Sequence, residues 1–286
     1  MNSCIALGVD IGGTHITASL VDLEKRIIID DSLKREEVAS TGPSDMIFDS
    51  WVDLLTRVMD YAGNRVEQIG IAMPGPFDYK SGISLIKEQD KFRNLYGLNV
   101  GDILSGRLGI NRERIVFKND AVCFLRGEML AGSLKGYESA IGITLGTGLG
   151  TAAGNYSLEI DAGLWNMPFK NGIAEDFLST KWFVSRFYTL SGKSVSGVKE
   201  LLKQYNNNKN IDFLFDEFAR NLALFISEFL KKFPSEAVVI GGNINKAFAR
   251  FQSQVQTLLW KKIGRRIPIV NSELGEYSAL IGAALF

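Results

Sequence analysis

The chain has 286 residues, of which 46% are hydrophobic and 22% charged, and its basic and acidic side chains are equal in number. This composition is typical of a globular protein long enough for two domains. A chain without net charge offers no basic surface for nucleic acid or an anionic membrane, so neither partner is predicted. No apolar run approaches the length of about 18 residues that a membrane span needs.

Cysteine and histidine are scarce, since only Cys4, Cys123 and His15 occur. A structural zinc site needs more ligands than these residues provide, so no zinc site is predicted. The general base of any catalysis is then a carboxylate, a lysine or a tyrosine unless His15 serves. His15 is expected on a strand, partly in solvent, and both cysteines are expected in the core. The first residues carry no charged or apolar leader, so a cytoplasmic location is expected.

The first candidate site is a β-hairpin whose turn is almost free of side chains. Residues 5–9 and 16–21 have strand character, and the segment between them contains Asp10, Gly12, Gly13 and Thr14. Bare glycine amides and a hydroxyl are donors that suit a phosphate. Asp10, at the strand end, is placed to hold a metal ion through water. The alternative is an ordinary Gly-Gly turn, because short glycine motifs are weak signals.

Strands and helices follow the hairpin with the spacing of a mixed α/β sheet. The expected elements are a strand at 26–29, a polar segment at 30–42, a helix from Ser44, a strand at 68–73, an irregular segment at 78–99, a helix at 100–108 and a strand at 115–117. Asn119 and Asp120 then begin a helix that runs to Ala131. This pair suits a catalytic carboxylate, a helix N-cap, or both at once.

The plan of the first hairpin recurs at residues 142–155, where an apolar strand containing Thr144 leads into a second turn of Gly146, Thr147 and Gly148. The two turns are predicted to face one another and to hold a polyphosphate. A strand at 236–240 then ends in Gly241 and Gly242 ahead of a predicted helix, a place where a nucleotide can lie against the backbone.

The remaining elements are mainly helical. Helices are predicted at 175–188, 198–205, 211–233 and 276–285, with a polar break at 206–208 and a strand at 267–270. The third of these helices carries an apolar stripe of Phe215, Phe218, Leu222, Phe225 and Phe229. Because the stripe has helical spacing, it is expected to pack in the core.

Taken together, these stretches resemble the sugar kinases of the ROK family, within the actin-like ATPase superfamily. The matching segments are Gly8 to Thr14, Met73 to Pro76, Asn119 to Ala121, Leu145 to Gly150 and Val239 to Gly242. The resemblance implies an α/β fold of two RNase H-like domains with a cleft between them. It places the domains at 1–117 and 118–274, with a final helix at 275–286 packed on the first. A homodimer is implied in the same way.

The resemblance also implies ATP and Mg²⁺ as cofactors. The first phosphate loop would contain Asp10, Gly12, Gly13 and Thr14, and the second Thr144, Gly146, Thr147 and Gly148. Gly241 and Gly242 would lie near the adenosine, and Asp10 would hold Mg²⁺. The sugar would be bound by Gly75, Asn119, Asp120, Asn166 and Glu175, with Asp120 taking the proton from the attacking hydroxyl.

The chain departs from the family pattern where many members carry a Glu-x-Gly-His segment and a cysteine-rich zinc loop. Gly163 and Asn166 stand at the positions of the Glu and the His, and no zinc loop follows. Glu175 matches a later carboxylate and is expected to bind sugar hydroxyls. Trp165 is expected to be buried, with stacking on a sugar ring as the alternative.

We therefore expect an ATP- and Mg²⁺-dependent hexose kinase of glucokinase type that phosphorylates the 6-hydroxyl. One alternative is a sugar sensor without catalysis, as in the repressor branch of the family. Another is a kinase for an amino sugar, or one that uses polyphosphate. The phosphate loops do not discriminate between donors, because ATP and polyphosphate present the same oxygens.

Overall fold

A computed structural model describes residues 4–63, 66–155, 157–205 and 209–286. The first three residues and the predicted polar break at 206–208 lie outside the described residues. The chain forms two compact units, one from the described part of Met1–Ala131 with Glu276–Phe286 and one from that of Gly132–Gly275. No described helix is long and apolar enough to cross a membrane.

The elements are numbered in chain order. Strands β1 to β15 are Ile5–Ile11, His15–Asp22, Ile27–Ile28, Lys34–Glu37, Val66–Met73, Phe77–Asp78, Ile83–Ser84, Ile115–Asn119, Ser139–Leu145, Leu149–Asn155, Leu158–Asp161, Pro168–Phe169, Gly172–Ile173, Ala237–Gly241 and Ile269–Asn271. Helices α1 to α9 are Ser44–Asp60, Val100–Leu108, Asp120–Leu130, Ala174–Leu178, Thr180–Ser191, Val198–Tyr205, Lys209–Lys232, Gln252–Ile263 and Ser278–Ala284. Short 3-10 helices cover Asp30–Ser32, Arg93–Leu95, Arg112–Arg114, Leu164–Asn166, Asn243–Arg250 and Gly275–Tyr277.

The sheet of the first unit combines an antiparallel hairpin with parallel strands. Its order is β3-β2-β1-β5-β8, and β4 also pairs with β2. β1 and β2 are antiparallel, whereas β1, β5 and β8 run parallel. Residues of β1 and β5 are buried almost without interruption, because parallel strands of this kind have both faces covered.

The second unit repeats this plan. Its sheet has the order β11-β10-β9-β14-β15, with an antiparallel β9–β10 hairpin and parallel β9, β14 and β15. The apolar stripe predicted on the long helix is buried on α7, as expected for a core helix. The prediction of an α/β fold with two RNase H-like domains is confirmed.

Three predicted elements differ from the structure. The polar segment at 30–42 contains strand β4, whose charged residues alternate between half-buried and exposed along the sheet edge. The helix expected at 175–188 is two helices, because Ser179 between them adopts an extended backbone. The helix expected after Gly242 begins as a 3-10 helix and becomes α-helical only at α8.

The predictions for the scarce residues have mixed outcomes. Cys123 is fully buried in α3, and burial followed by the charge of Asp120 raises the pKa of its thiol. Cys4, in contrast, is only half-buried and donates a hydrogen bond of 3.0 Å to Glu67, so its prediction as a core residue is wrong. His15 is the half-buried first residue of β2, as predicted.

Helix α9 packs within the first unit at unusually close range through glycines. An added Cβ at any of four glycines would overlap backbone of a neighbouring element: Gly8 against Leu280, Gly70 against Ala283, Gly127 against Ser278, and Gly282 against Cys123. The Ser278 hydroxyl also donates a hydrogen bond of 2.6 Å to the buried carboxylate of Glu128 in α3. Because α3 packs on α9, the first unit extends to Ala131.

Gly282→Ala should therefore destabilise the protein, while Gly106→Ala provides a matched control. Both glycines are helical, but a Cβ at Gly282 would strike the backbone of Cys123, whereas one at Gly106 would meet no atom within 4 Å. We expect the free energy of unfolding to fall by about 1–3 kcal/mol for Gly282→Ala. Gly106→Ala should raise it by up to about 1 kcal/mol. Urea denaturation measures both, and equal midpoints would contradict the close packing.

Candidate active site

Two carboxylates come together at the carboxyl edge of the first sheet. Asp10 lies near the end of β1 and pairs with Ala72 of β5, which in turn pairs with Lys118 of β8. Asp120 follows β8 directly as the first residue of α3. Because neighbouring parallel strands end at one edge, residues distant in sequence meet there.

The pKa of Asp10 reflects its proximity to Asp120. Burial, followed by the negative charge of Asp120, raises the pKa of Asp10 to about 7. The positive charge of Arg35 acts in the opposite direction, and Glu276 adds a further upward influence. Asp10 is therefore a carboxyl group whose negative charge is incompletely balanced within its unit.

Arg35 and Glu276 were not predicted from the sequence. Arg35 pairs in register with Thr17, which pairs with Asp10, so the three residues lie side by side across β4, β2 and β1. The guanidinium of Arg35 lies 3.1 Å from the carboxylate of Glu276. No motif contains either residue, and only the register of an unpredicted edge strand brings Arg35 to Asp10.

Asn119 caps α3 and leaves Asp120 at the surface. The Asn119 side-chain oxygen accepts hydrogen bonds from the amides of Ala121 at 2.9 Å and Val122 at 3.2 Å. One Asp120 oxygen also accepts from the Ala121 amide, and Asp120 is exposed. The N-cap interpretation of Asn119 is confirmed, and it is compatible with a chemical role for Asp120.

Tyr79 links the strand ends to the segment that contains Gly75. Its hydroxyl donates to the carbonyl of Met73 at 3.0 Å and accepts from the Asn119 side chain at 3.3 Å. The side-chain amide of Gln89 donates to the Gly75 carbonyl at 3.1 Å. No sequence pattern marks Tyr79, because it lies in a segment without periodicity.

The first glycine turn has an occupied amide and two open ones. Gly12 donates to the carbonyl of His15 at 2.8 Å and so closes the hairpin. The Ser40 hydroxyl donates to the Gly13 carbonyl at 2.6 Å, which fixes the turn from outside. Within the described residues, the amides of Gly13 and Thr14 donate to no other group. They are the amides of this turn that can bind an anion.

The second glycine turn is held by side chains of its own unit. The amide and hydroxyl of Thr180 donate to the Gly146 carbonyl at 2.8 and 2.9 Å. A carboxylate oxygen of Glu175 accepts from the Leu149 amide at 2.9 Å and would lie 2.7 Å from a Cβ on Gly148. Glu175, predicted as a sugar ligand, therefore also supports the turn.

The third glycine site adjoins the second turn. Gly241 pairs with Thr144 in the parallel register of β14 and β9. Gly242 has a φ of +85°, and a Cβ there would lie 2.8 Å from the backbone nitrogen of Leu145. Both the positive φ and the close approach to Leu145 require glycine at this position. Glycine therefore allows the end of β14 to contact the start of the second glycine turn. The structure thus brings together the predicted nucleotide residues of the second unit.

The segment that departs from the family pattern has a structural reason for its glycine. Gly163 has a φ of +59° and donates to Asp161 at 2.9 Å, a conformation that disfavours glutamate. Asn166 is exposed in the following 3-10 helix. Trp165 is 47% exposed, so the prediction that it is buried is wrong.

The predicted site residues thus form a group in each unit. Asp10, Gly12, Gly13, Thr14, Gly75, Asn119 and Asp120 belong to the first unit, and Thr144, Gly146, Thr147, Gly148, Asn166, Glu175, Gly241 and Gly242 to the second. That the two turns face one another stays a prediction. In the described part of the chain, no three His, Cys, Asp or Glu side chains form a group that could hold a metal ion.

Comparisons with known proteins agree with these motifs. The sequence model of the ROK family matches residues 6–155. A glucokinase of Thermotoga maritima is 25% identical over 97% of this chain and 95% of its own length. An N-acetyl-D-glucosamine kinase of Photobacterium profundum is 24% identical over 97% of each chain. The crystal structure of a ROK family glucokinase from Streptomyces griseus, in complex with glucose and AMPPNP, has 23% identity and a TM-score of 0.77 over 98% of both chains. The chain belongs to the ROK family.

Proposed function

We propose that this sugar kinase of the ROK family transfers the terminal phosphoryl group of ATP to a hydroxyl of a hexose. The observation that carries the proposal is that Asp10 and Asp120 lie close together at one edge of the first sheet. Strand β1, which contains Asp10, leads into the turn whose Gly13 and Thr14 amides are open. Phosphoryl transfer needs positioning and charge neutralisation more than covalent chemistry by the protein. In this proposal a carboxylate, amide donors and a cation site contribute to both.

Asp120 acts as the base in this mechanism. It accepts the proton of the attacking sugar hydroxyl, the 6-hydroxyl by likeness to the family, as the new oxygen–phosphorus bond forms. Asn119 caps the helix through one side-chain atom and holds Asp120 at the first helical position. A base positioned in this way typically contributes about 10²–10⁴-fold to the rate.

The Asp10 site fits a magnesium ion. Mg²⁺ prefers oxygen ligands and usually keeps several waters, so a single carboxylate can hold it through water. The raised pKa of Asp10 marks a negative charge that a divalent cation would balance. When bound, Mg²⁺ would neutralise charge on the phosphates, and Asp10 would hold it.

The remaining assignments follow the family motifs. The amides of Gly13 and Thr14 bind phosphate oxygens, and Gly12 holds the turn closed. Further nucleotide ligands are Thr144, Gly146, Thr147, Gly148, Gly241 and Gly242. The sugar ligands are Gly75, Asn119, Asp120, Asn166 and Glu175. The glucokinase and N-acetylglucosamine kinase relatives support a hexose or its amino derivative as the acceptor.

A panel of sugars assayed for ADP release, with the phosphorylated position read by NMR, tests the proposed reaction. We expect release of ADP with glucose or a related hexose and phosphorylation of the 6-hydroxyl. Polyphosphate replaces ATP in a parallel assay. Turnover with polyphosphate but not with ATP would identify polyphosphate as the donor. Binding of a sugar without any turnover would indicate a sugar sensor and contradict the proposed kinase reaction.

Asp120→Asn should abolish transfer and leave nucleotide binding nearly intact. Asparagine retains an oxygen that can accept from the Ala121 amide, so the helix start is kept, but it does not accept the hydroxyl proton. We expect kcat to fall by about 10²–10⁴-fold with KM for ATP within about threefold. Asp90→Asn, at an exposed carboxylate paired only with Arg93 in the described chain, is the control. A near-normal kcat for Asp120→Asn would refute the assignment.

Asp10→Asn should stabilise the protein at alkaline pH and abolish its response to magnesium. The folded state keeps the Asp10 proton up to about pH 7, whereas the ordinary pKa is 3.8. The folded state therefore binds more protons between these values, and the stability of the wild type falls as pH rises through them. At pH 8 we expect Asp10→Asn to be more stable by on the order of 2 kcal/mol, and at pH 4 to be equal.

Thermal denaturation with and without Mg²⁺ measures this effect. The ion should raise the Tm of the wild type at pH 8 and leave that of Asp10→Asn unchanged, because binding to the folded state alone stabilises it. Asp90→Asn serves again as the control and should respond as the wild type does. A Tm difference between wild type and Asp10→Asn that is independent of pH would contradict the raised pKa.

A further inference from the structure

The segment between β7 and α2 places a lysine on the first glycine turn. The side chain of Lys91 lies across Gly13, so that a Cβ added to Gly13 would lie 2.6 Å from the Lys91 ammonium nitrogen and would overlap its carbon chain. A side chain at Gly13 would require Lys91 to move away from the turn. The absence of a side chain at Gly13 therefore lets Lys91 lie against the turn.

The backbone beside Lys91 is fixed by its neighbour in the core. Phe92 is 1% exposed, and its ring packs on Trp51 at 5.6 Å between centroids. Its φ is +58°, a left-handed conformation that is rare for a bulky residue and that costs energy unless the surroundings enforce it. Lys91 thus projects from an anchored position.

Two hydrogen bonds connect this anchor to the turn. The Phe92 amide donates to the Ser40 carbonyl at 2.7 Å, and the Ser40 hydroxyl donates to the Gly13 carbonyl at 2.6 Å. Hydrogen bonds therefore link the first glycine turn, through Ser40, to the backbone of the residue next to Lys91. These bonds help to hold Lys91 beside the turn.

Positive charge and open hydrogen-bond donors lie side by side at this turn. Lys91 takes part in none of the ion pairs that the described residues form. Its ammonium group lies beside the turn whose Gly13 and Thr14 amides are open. A group of backbone amides beside an ammonium group favours an anion, and the neighbouring motifs predict that the anion is a phosphate.

We propose that Lys91 binds an oxygen of the terminal phosphoryl group of ATP during transfer. This inference rests on the proposed function and adds a cation that none of the glycine motifs contains. As the bond from the terminal phosphorus to its bridging oxygen breaks and the bond to the sugar oxygen forms, the sugar proton passes to Asp120. The positive charge of Lys91 neutralises charge on the transferred group.

Lys91→Met, Lys91→Arg and the control Lys87→Met test the proposal. Lys87 is in the same segment, is exposed, and lies over the ring of Tyr96 at 5.9 Å. We expect Lys91→Met to lower kcat/KM for ATP by about 100-fold. Lys91→Arg should recover at least a tenth of the wild-type value, roughly, because it keeps the charge. Lys87→Met should match the wild type, and the sugar Kd and Tm should be unchanged in all three.

Calorimetry with inorganic tripolyphosphate, AMPPNP and ADP gives a readout that does not need turnover. Lys91→Met should weaken binding of tripolyphosphate and AMPPNP by about tenfold and leave that of ADP within about twofold. Equal weakening of ADP, or a Lys91→Met variant that binds and turns over like Lys87→Met, would overturn the proposal. A wild type that transfers no phosphoryl group would overturn the kinase reaction, while dependence of tripolyphosphate binding on Lys91 would still support the phosphate contact.

Discussion

The parallel pairing of β1, β5 and β8 determines which side chains meet at the candidate site. Asp10 and Asp120 are separated by most of the first unit in sequence, and no local pattern relates them. The register Asp10 to Ala72 to Lys118 fixes the levels of the two strand ends, and α3 begins at that level. A slip of one residue in either pairing would turn the affected strand over and remove one carboxylate from the edge.

The fold could be predicted largely because its elements have clear periods. Both hairpins, the buried strands and the long α7 helix follow from alternating or helical spacing of apolar residues. The capping role of Asn119 was also predictable, since the preference for asparagine at an N-cap is local. These strands, helices and the helix cap were predictable because they depend on residues close together in sequence.

The parts that could not be predicted depend on contacts between distant segments. Arg35 reaches Asp10 only through an edge strand made of charged residues, which have no hydrophobic period. Tyr79 and Lys91 lie in a long segment without repeated spacing, and their positions follow from Met73 and Phe92. Trp165 illustrates the opposite error, because an apolar ring was expected to be buried and is not. Composition indicates burial on average but not the side of a loop that a side chain occupies.

Helix α9 has a consequence for the order in which the two units can form. The second unit is continuous in sequence, whereas the first is completed by residues from the far end of the chain. At Gly8 and Gly70 the backbone of α9 approaches so closely that an added Cβ would overlap it. During synthesis these glycine positions stay uncovered until α9 leaves the ribosome, after the whole of the second unit has emerged. The second unit can therefore be complete before the first, because the first lacks α9 until the second has been synthesised.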